Sequence, residues 1–302
     1  MSDHGPPDDA VARWNTRRSG SYTNTRQDWD DRAVDWDGRL RSQDVRARQG
    51  EERVRAVVGF LQERGLLGPD REVVDVGCGP GRFVAGFART ARRAVGLDFA
   101  PGMVEAGERF AREQGLASTA FHVCDFQGDG PFDPAWDGAF DLAFSSITPA
   151  VAGLDALRRF MRLSRAWCMN VCFIHLHNEL QDRLLADVFG RGPAQTGAVA
   201  HRETTGHSYW LDELVAVLRH LGQDPEVMTW DQPRELALPA DHATAEALTR
   251  ALLPPSERDP GATARVEAFL RTCAGPDGLV WERSDCRYGW VLWDVREPGA
   301  RD

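Results

Sequence analysis

The middle of the chain alternates between short apolar runs and longer amphipathic stretches. Apolar runs of strand length occur at residues 72–77, 94–99, 119–126, 139–147 and 166–176. Stretches with apolar residues three or four positions apart lie between them, at residues 82–93, 101–115 and 152–164. Strands that alternate with helices form a parallel sheet with helices on both faces. The pattern therefore predicts an α/β fold.

The regular alternation of apolar runs and amphipathic stretches weakens on both sides of this region. Residues 1–25 are polar and rich in turn formers, which predicts a poorly ordered segment. The chain after residue 177 predicts a helix at 209–222, a strand at 225–230, two helices within 241–273 and a last strand at 286–295. These elements bring the expected sheet to seven strands.

Four parts are expected along the chain. Residues 1–49 are expected to form an N-terminal arm that covers the ligand. Residues 50–177 are expected to form a Rossmann-like core that binds it. Residues 178–275 form a helical lid together with the sixth strand, and residues 276–302 add the C-terminal strand that completes the sheet.

The charge and composition of the chain argue against several classes of function. The 302 residues carry a formal net charge of −10, which argues against a nucleic-acid binder that must neutralise phosphates. No apolar run reaches the roughly 18–20 residues that span a bilayer, and the N-terminus lacks the order of a signal peptide. We expect a cytoplasmic protein with no membrane partner. The basic residues are all arginine, so a Schiff-base lysine is excluded.

Gly77, Gly79 and Gly81 connect the first predicted strand to the following helix. Such a loop lets a ligand lie on bare backbone at the N-terminus of a helix. A phosphate P-loop would need a lysine, and a dinucleotide fingerprint would need glycine where Arg82 stands. Asp75 would repel a pyrophosphate, so it suits a ligand that carries positive charge.

Further polar residues follow the next strands. Asp98 ends the second strand, where its carboxylate can accept hydrogen bonds from both hydroxyls of a ribose. Asp125 and Phe126 end the third strand, where the carboxylate can accept from an exocyclic amine and the ring can face a base. In open α/β sheets, ligands bind outside these carboxyl ends.

This combination resembles the class I S-adenosylmethionine-dependent methyltransferase family. The stretch VVDVGCGPGRF is similar to its first motif, GLDFAPGMVE to its ribose-binding segment, HVCDFQ to its adenine-binding segment, and FDLAFSSI to the fourth-strand motif beside the methyl-transfer site. The resemblance covers residues 50–176 closely and the remainder loosely. It implies S-adenosyl-L-methionine as cofactor and S-adenosyl-L-homocysteine as product.

The resemblance also implies a set of cofactor contacts. Asp75 would lie near the ammonium group, and Ser145 near the sulfonium. Trp29 and Trp36 would either cover the cofactor or pack as the core of the N-terminal arm. The expected cofactor-binding residues are Asp75, Gly77, Cys78, Gly79, Gly81, Asp98, Phe99, Met103, Asp125, Phe126, Ser145 and Trp29.

The sequence indicates the residues that contact the methyl acceptor less clearly than those that contact the cofactor. His175 and His177 end the fifth strand, and either could act as a general base or contact the acceptor. The pair could also bind a metal with His201, His207 or Asp182, or be only a polar strand end; we expect no metal. The expected substrate contacts are Ser146, Thr148, His207, Tyr209 and Trp210.

We expect a methyltransferase that acts on oxygen or nitrogen of a small molecule, in specialised metabolism, as a monomer or homodimer. The stretch SSITPAV lacks the [DNS]-P-P-[YF] signature of enzymes that methylate DNA or glutamine. Two alternatives stay open: a methyltransferase for a peptide, a protein or RNA, and a non-catalytic protein that binds S-adenosylmethionine or S-adenosylhomocysteine.

Overall fold

The computed structural model describes residues 7–20, 26, 29–30, 33, 38, 45–128, 133–191, 209–253 and 257–296. The chain divides into two compact units. Unit 1 comprises Met1–Cys172, Asp212–Met228 and Gly289–Asp302, and unit 2 comprises Phe173–Leu211 and Thr229–Tyr288. The four-part division expected from the sequence stays a proposal.

A seven-stranded sheet organises the fold, and this confirms the predicted fold class. The strands in chain order are β1 (Glu72–Val76), β2 (Arg93–Asp98), β3 (Thr119–Val123), β4 (Phe140–Ser146), β5 (Ser164–Asn178), β6 (Glu226–Pro239) and β7 (Leu279–Asp294). Their order in the sheet is β3-β2-β1-β4-β5-β7-β6. The first five form consecutive parallel pairs.

The α-helices of the described residues are, in chain order, α1 (Pro7–Gly20), α2 (Val45–Glu63), α3 (Arg82–Ala88), α4 (Pro101–Glu113), α5 (Leu154–Leu163), α6 (Glu179–Arg183), α7 (Tyr209–His220), α8 (His242–Leu252) and α9 (Ala262–Cys273). A π-helical turn, Leu184–Val188, continues α6. Within the described ranges, none of the helices combines the length and the apolar character needed to cross a bilayer.

The core of unit 1 explains why three of the five residues of β1 are valine. Val73, Val74 and Val76 are buried, as expected for a strand with helices on both faces. On one face, the ring of Phe144 in β4 packs against Phe83 and Phe87 of α3, with centroids 4.7 and 5.0 Å away. These contacts fix α3, and with it the helix end of the glycine loop, against the sheet.

Helix α1 differs from the sequence prediction, which expected a poorly ordered segment over residues 1–25. Trp14 is fully buried and Ala10 nearly so, and the side-chain carbonyl of Asn15 accepts a hydrogen bond of 2.9 Å from Leu154 N–H at the start of α5. Two apolar residues one turn apart anchor an otherwise polar helix. This pattern is too sparse to stand out from the polar background.

Unit 2 contains extended strands as well as helices. β6 and β7 are 14 and 16 residues long, whereas the sequence predicted strands only at 225–230 and 286–295. Charged residues interrupt the apolar pattern of the added segments, which concealed them. The helices of this unit share an apolar cluster of Leu180, Leu184, Leu185, Ala245, Leu248, Leu252, Val266, Leu270 and Val280. Unit 2 therefore combines helices with long strands, and the lid role expected for residues 178–275 stays a proposal.

Candidate functional site

The sheet reverses its strand order between β1 and β4. The chain proceeds outward from β1 to β2 and β3, then returns to place β4 on the other side of β1. Ligands in such sheets bind in the crevice at this reversal, outside the carboxyl ends of the strands. The glycine loop follows β1 directly, so it lies at the crevice.

Asp75 is a buried carboxyl group at this point. It pairs with Gly96 of β2 and Phe144 of β4 in the strand register, and its exposed fraction is 3%. Burial, and then the charge of Asp98, raise its pKa well above the ordinary value. Within the described residues no hydrogen bond offsets this effect. Such a group is stabilised by a positively charged partner.

Asp98 is also buried, but the backbone holds it. Its Oδ2 accepts a hydrogen bond of 2.8 Å from Gly79 N–H, and its Oδ1 accepts one of 3.0 Å from Ala100 N–H. Burial raises its pKa, and these backbone bonds reduce the rise. A carboxylate has about four lone-pair sites, so two further donors such as ribose hydroxyls can bind.

The three glycines of the loop all have positive φ, of 70° at Gly77, 53° at Gly79 and 80° at Gly81. Their surroundings differ. A Cβ on Gly77 would lie 2.2 Å from Thr148 Oγ1, and one on Gly81 would lie 2.7 Å from the ring of Phe121. A Cβ on Gly79 would meet no described atom within 4 Å. Packing therefore requires two of the glycines, and only Gly79 presents bare backbone to the crevice.

The ring of Phe121 packs in a space between glycines, a contact that was not predicted from the sequence. Besides Gly81, a Cβ on Gly96 of β2 or on Gly107 of α4 would lie 2.8 or 2.5 Å from its ring. Three glycines thus let one aromatic ring join β2, β3 and α4 behind the loop. An isolated glycine inside a strand or helix pattern was the available signal.

The N-terminal arm contacts the segment that follows β2. Trp29 and Phe99 pack against an apolar cluster of Ala33, Ala100 and Met103, which brings three of the predicted cofactor residues together. Trp36 lies outside the described residues.

Asp30 of the same arm was not predicted. Its Oδ1 accepts a hydrogen bond of 2.8 Å from Gly102 N–H in the first turn of α4, a position where a carboxylate stabilises a helix. The sequence contains several Asp residues around it and gave no reason to select this one.

The adenine-side candidates follow β3. Phe126 is buried, whereas Asp125 is exposed and its Oδ1 accepts a hydrogen bond of 3.0 Å from Gly128 N–H. The Arg159 guanidinium donates to the carbonyl of Phe126 at 3.2 Å, and Gln127 donates to the carbonyl of Pro149. These bonds tie the loop after β3 to α5 and to the segment after β4.

The end of β4 carries the predicted sulfonium and acceptor contacts. Ser145 is fully buried, and its hydroxyl accepts a hydrogen bond of 2.7 Å from Asn170 in β5, an arrangement that serves the sheet. Ser146 is partly exposed. Thr148 packs on Gly77 and its hydroxyl accepts from Ala150 N–H at 3.2 Å.

Ile147 is the residue at this strand end that sequence reasoning missed. It has a φ of 51° and an exposed fraction of 36%. Positive φ is unfavourable for a β-branched residue, and strain of this kind concentrates at functional sites. The amino-acid type gave no signal of it.

Apart from Ser146 and Thr148, the acceptor-side candidates belong to unit 2. Nδ1 of His177 lies 2.8 Å from Asp182 Oδ2, so in the neutral ring the carboxylate favours a proton on Nδ1 and leaves Nε2 as an acceptor. Trp210 is partly buried near the start of α7. The side chains of His175 and Tyr209, and all of His201 and His207, lie outside the described residues. Among the described side chains, no three His, Cys, Asp or Glu groups are placed to hold a metal ion.

Comparison with known proteins finds similarity over part of the chain. A family model described as a methyltransferase domain matches residues 73–168, which include β1 to β4 and the glycine loop. The chain is 34% identical over 88 residues to a 23S rRNA (uracil(1939)-C(5))-methyltransferase of Aeromonas hydrophila. That match covers 25% of this chain and 20% of that protein, so the chain spans about a fifth of the length of this curated relative.

Solved structures share the fold. The YcgJ protein from Bacillus subtilis is 15% identical with a TM-score of 0.50, over 81% of this chain and 100% of that one. A phosphoethanolamine N-methyltransferase of Haemonchus contortus, in complex with phosphomonomethylethanolamine and S-adenosylhomocysteine, is 14% identical with a TM-score of 0.50, over 91% of this chain and 61% of that one. At this identity the likeness is one of fold.

Proposed function

We propose that this chain, which contains a class I S-adenosylmethionine-dependent methyltransferase domain, uses S-adenosylmethionine to methylate a small molecule at oxygen or nitrogen. One observation carries the proposal. Two buried carboxyl groups, Asp75 and Asp98, flank the bare backbone of Gly79 at the strand reversal. A ligand with a cationic amino-acid end and a ribose fits this combination, because it supplies an ammonium group to one carboxylate and hydroxyl donors to the other.

The remaining cofactor contacts extend from this centre. Trp29, Phe99 and Met103 form one apolar wall of the proposed pocket. Phe126 and Asp125 would hold the adenine, and the burial of Phe126 supports the apolar part of this role. Ser145 has less support, because Asn170 engages its hydroxyl.

S-adenosylmethionine supplies a methyl group on a sulfonium, which a nucleophile takes by direct displacement. The protein must therefore align the acceptor, and it can remove a proton where the nucleophile needs it. We propose His177, oriented by Asp182, as the base. His175, Ser146, Thr148, His207, Tyr209 and Trp210 remain proposed acceptor-side residues.

RNA is the main rival acceptor, since the Aeromonas relative is an rRNA methyltransferase. The net charge of −10 disfavours it, because RNA binding requires neutralised phosphates. A non-catalytic binder of the cofactor is the other alternative, and it would bind S-adenosylmethionine without turnover.

Asp98→Ala should weaken S-adenosylmethionine binding by about 10- to 100-fold, because hydrogen bonds to a charged group contribute about 1.5–3 kcal/mol. Calorimetric titration measures the change. Asp141→Ala is the matched control. Asp141 has the same exposed fraction of 8% but lies at the amino end of β4, bonded to Glu72 N–H and Arg165. Equal losses in the two variants would remove Asp98 from the site.

The acceptor class can be tested with S-adenosylmethionine labelled in its methyl group. The purified protein is incubated with label and a bacterial extract, and the products are separated by ultrafiltration. Label in the small-molecule filtrate is expected. Label retained with RNA or protein would replace this acceptor with a macromolecule, and no transfer from any extract would favour the non-catalytic alternative.

A further inference from the structure

Unit 2 contains a strip of buried and partly buried polar side chains on one face of β6 and β7. Alternate residues of β7 are buried along this stretch, and they include Glu282 and Ser284, with exposed fractions of 2% and 4%. Gln232 and Arg234 occupy alternate positions on the neighbouring strand β6. We call these four residues the polar strip. Buried polar groups cost free energy unless they have partners.

Arg234 is the member of the strip whose bonds are incomplete. Its side chain is 19% exposed, and its Nη2 lies 3.5 Å from Glu282 Oε1, an ion pair without a hydrogen bond. Nε and Nη2 are both buried and have no hydrogen-bond partner in the described part of the chain. These two N–H groups point the same way along one edge of the guanidinium, the edge that binds oxygen acceptors bidentately.

Arg287 in the same sheet shows how this edge is normally satisfied. Its Nε donates to Asp231 Oδ1 at 2.6 Å, and its Nη2 donates to Asp231 Oδ2 at 2.9 Å. That pair is exposed, whereas the uncommitted edge of Arg234 is buried. Incomplete hydrogen bonding at the buried edge of Arg234 is therefore unusual. It indicates that a bound molecule supplies the missing oxygen acceptor.

The charge of the cluster determines which kind of hydrogen-bond acceptor can bind to Arg234. Glu282 already supplies the counter-charge of Arg234. A carboxylate or phosphate would leave the buried cluster with a net negative charge, which is unfavourable. A neutral carbonyl oxygen has two lone pairs and can accept both N–H groups without adding charge.

Aromatic rings continue the same surface. The Tyr288 ring lies 4.9 Å from Phe173 and 5.7 Å from Trp230, centroid to centroid. Trp230 precedes Arg234 by four residues along β6, a distance of about 13 Å in a strand. Such a row suits a flat apolar body attached to the carbonyl.

We infer that the buried edge of Arg234 binds the carbonyl oxygen of a neutral, planar small molecule. This site lies within unit 2 and does not depend on the cofactor. The inference names its ligand class as uncharged, carbonyl-bearing aromatic compounds.

Three probes of nearly equal shape test it on the full chain: 2-acetylnaphthalene, 2-naphthoate and 2-ethylnaphthalene. They carry a neutral carbonyl, a carboxylate and no oxygen, respectively. Binding is measured by titration without cofactor. The acetyl compound should bind at least tenfold more tightly than the other two. Arg234→Lys keeps the positive charge beside Glu282 but removes the bidentate edge, so it should abolish this preference. Arg287→Lys, on the exposed face, should leave the preference unchanged.

Tightest binding of 2-naphthoate would overturn the charge argument. Equal binding of the three probes, or an unchanged preference in Arg234→Lys, would show that water satisfies Arg234 and that the pair with Glu282 is structural. Titration with S-adenosylmethionine separates this inference from the proposed function. Carbonyl selectivity without cofactor binding would support the Arg234 site and contradict the proposed function.

Discussion

Asp75→Asn should make the ligand-free protein more stable at neutral pH and weaken S-adenosylmethionine binding by about 100-fold or more. The loss in binding follows because the ammonium group would be buried without its counter-charge, and breaking a buried pair costs about 3–5 kcal/mol. The gain in stability follows from the pKa of Asp75, which burial and then the charge of Asp98 raise well above its ordinary value.

The sign of the pH dependence follows from the same shift. Folded protein holds the Asp75 proton at pH values where the unfolded chain has released it, so stability falls as pH rises from the ordinary Asp pKa to the raised one. Asparagine removes this loss, and each kcal/mol regained raises Tm by about 2–4 °C in a protein of this size class. Cofactor binding requires the ionised carboxylate, so the affinity of the wild type should rise over that pH interval.

Asp141→Asn is a control for which the expected change in stability has the opposite sign. Burial raises the pKa of Asp141, but bonds from Glu72 N–H and Arg165 more than offset it, so the net pKa is lowered. Its replacement should lower Tm at neutral pH and leave cofactor affinity unchanged. Scanning calorimetry and isothermal titration on both variants check the pair. A less stable Asp75→Asn variant that still binds the cofactor would refute the role of Asp75.

Gly79→Val should abolish cofactor binding, a loss of at least about 100-fold or 2.7 kcal/mol, while the protein still folds. A side chain at Gly79 meets no described atom within 4 Å, so the protein itself tolerates its volume. The proposed cofactor needs that space against the backbone. Strain from the φ of 53° costs about 1–2 kcal/mol of stability.

Gly115→Val is the matched control for strain. Gly115 has a φ of 67°, and a Cβ there also meets no described atom within 4 Å, but it follows α4 away from the crevice. The two variants should lose similar stability in thermal unfolding, and only Gly79→Val should lose binding in calorimetry. Binding retained by Gly79→Val would contradict close approach of the ligand to this backbone.

Much of unit 1 was predictable because its signals are local. The apolar runs located β1 to β5, and the residues after each strand located the site, since parallel strands bring their carboxyl ends to one edge. The fold class was confirmed, and a methyltransferase-domain model matches residues 73–168. The sequence could not distinguish the three motif glycines, because Thr148 and Phe121 approach two of them from distant parts of the chain.

Other features depend on tertiary contacts with no local signature. Asp30 is one of several acidic residues in a polar arm, and only its bond to Gly102 sets it apart. Ile147 has an ordinary strand-forming side chain, and its strain is visible only in the backbone angle. The polar strip of β6 and β7 has the alternation of an exposed strand face, so burial of Arg234 and Glu282 could not be read from the pattern.

Calorimetric titration of the wild-type protein with S-adenosylmethionine and S-adenosylhomocysteine tests the central claim most directly. Both ligands carry the ammonium and ribose groups assigned to Asp75 and Asp98, so both should bind with micromolar Kd, about −8 kcal/mol. Failure of either ligand to bind, in protein shown to be folded by calorimetry, would contradict the assignment of the crevice to this cofactor.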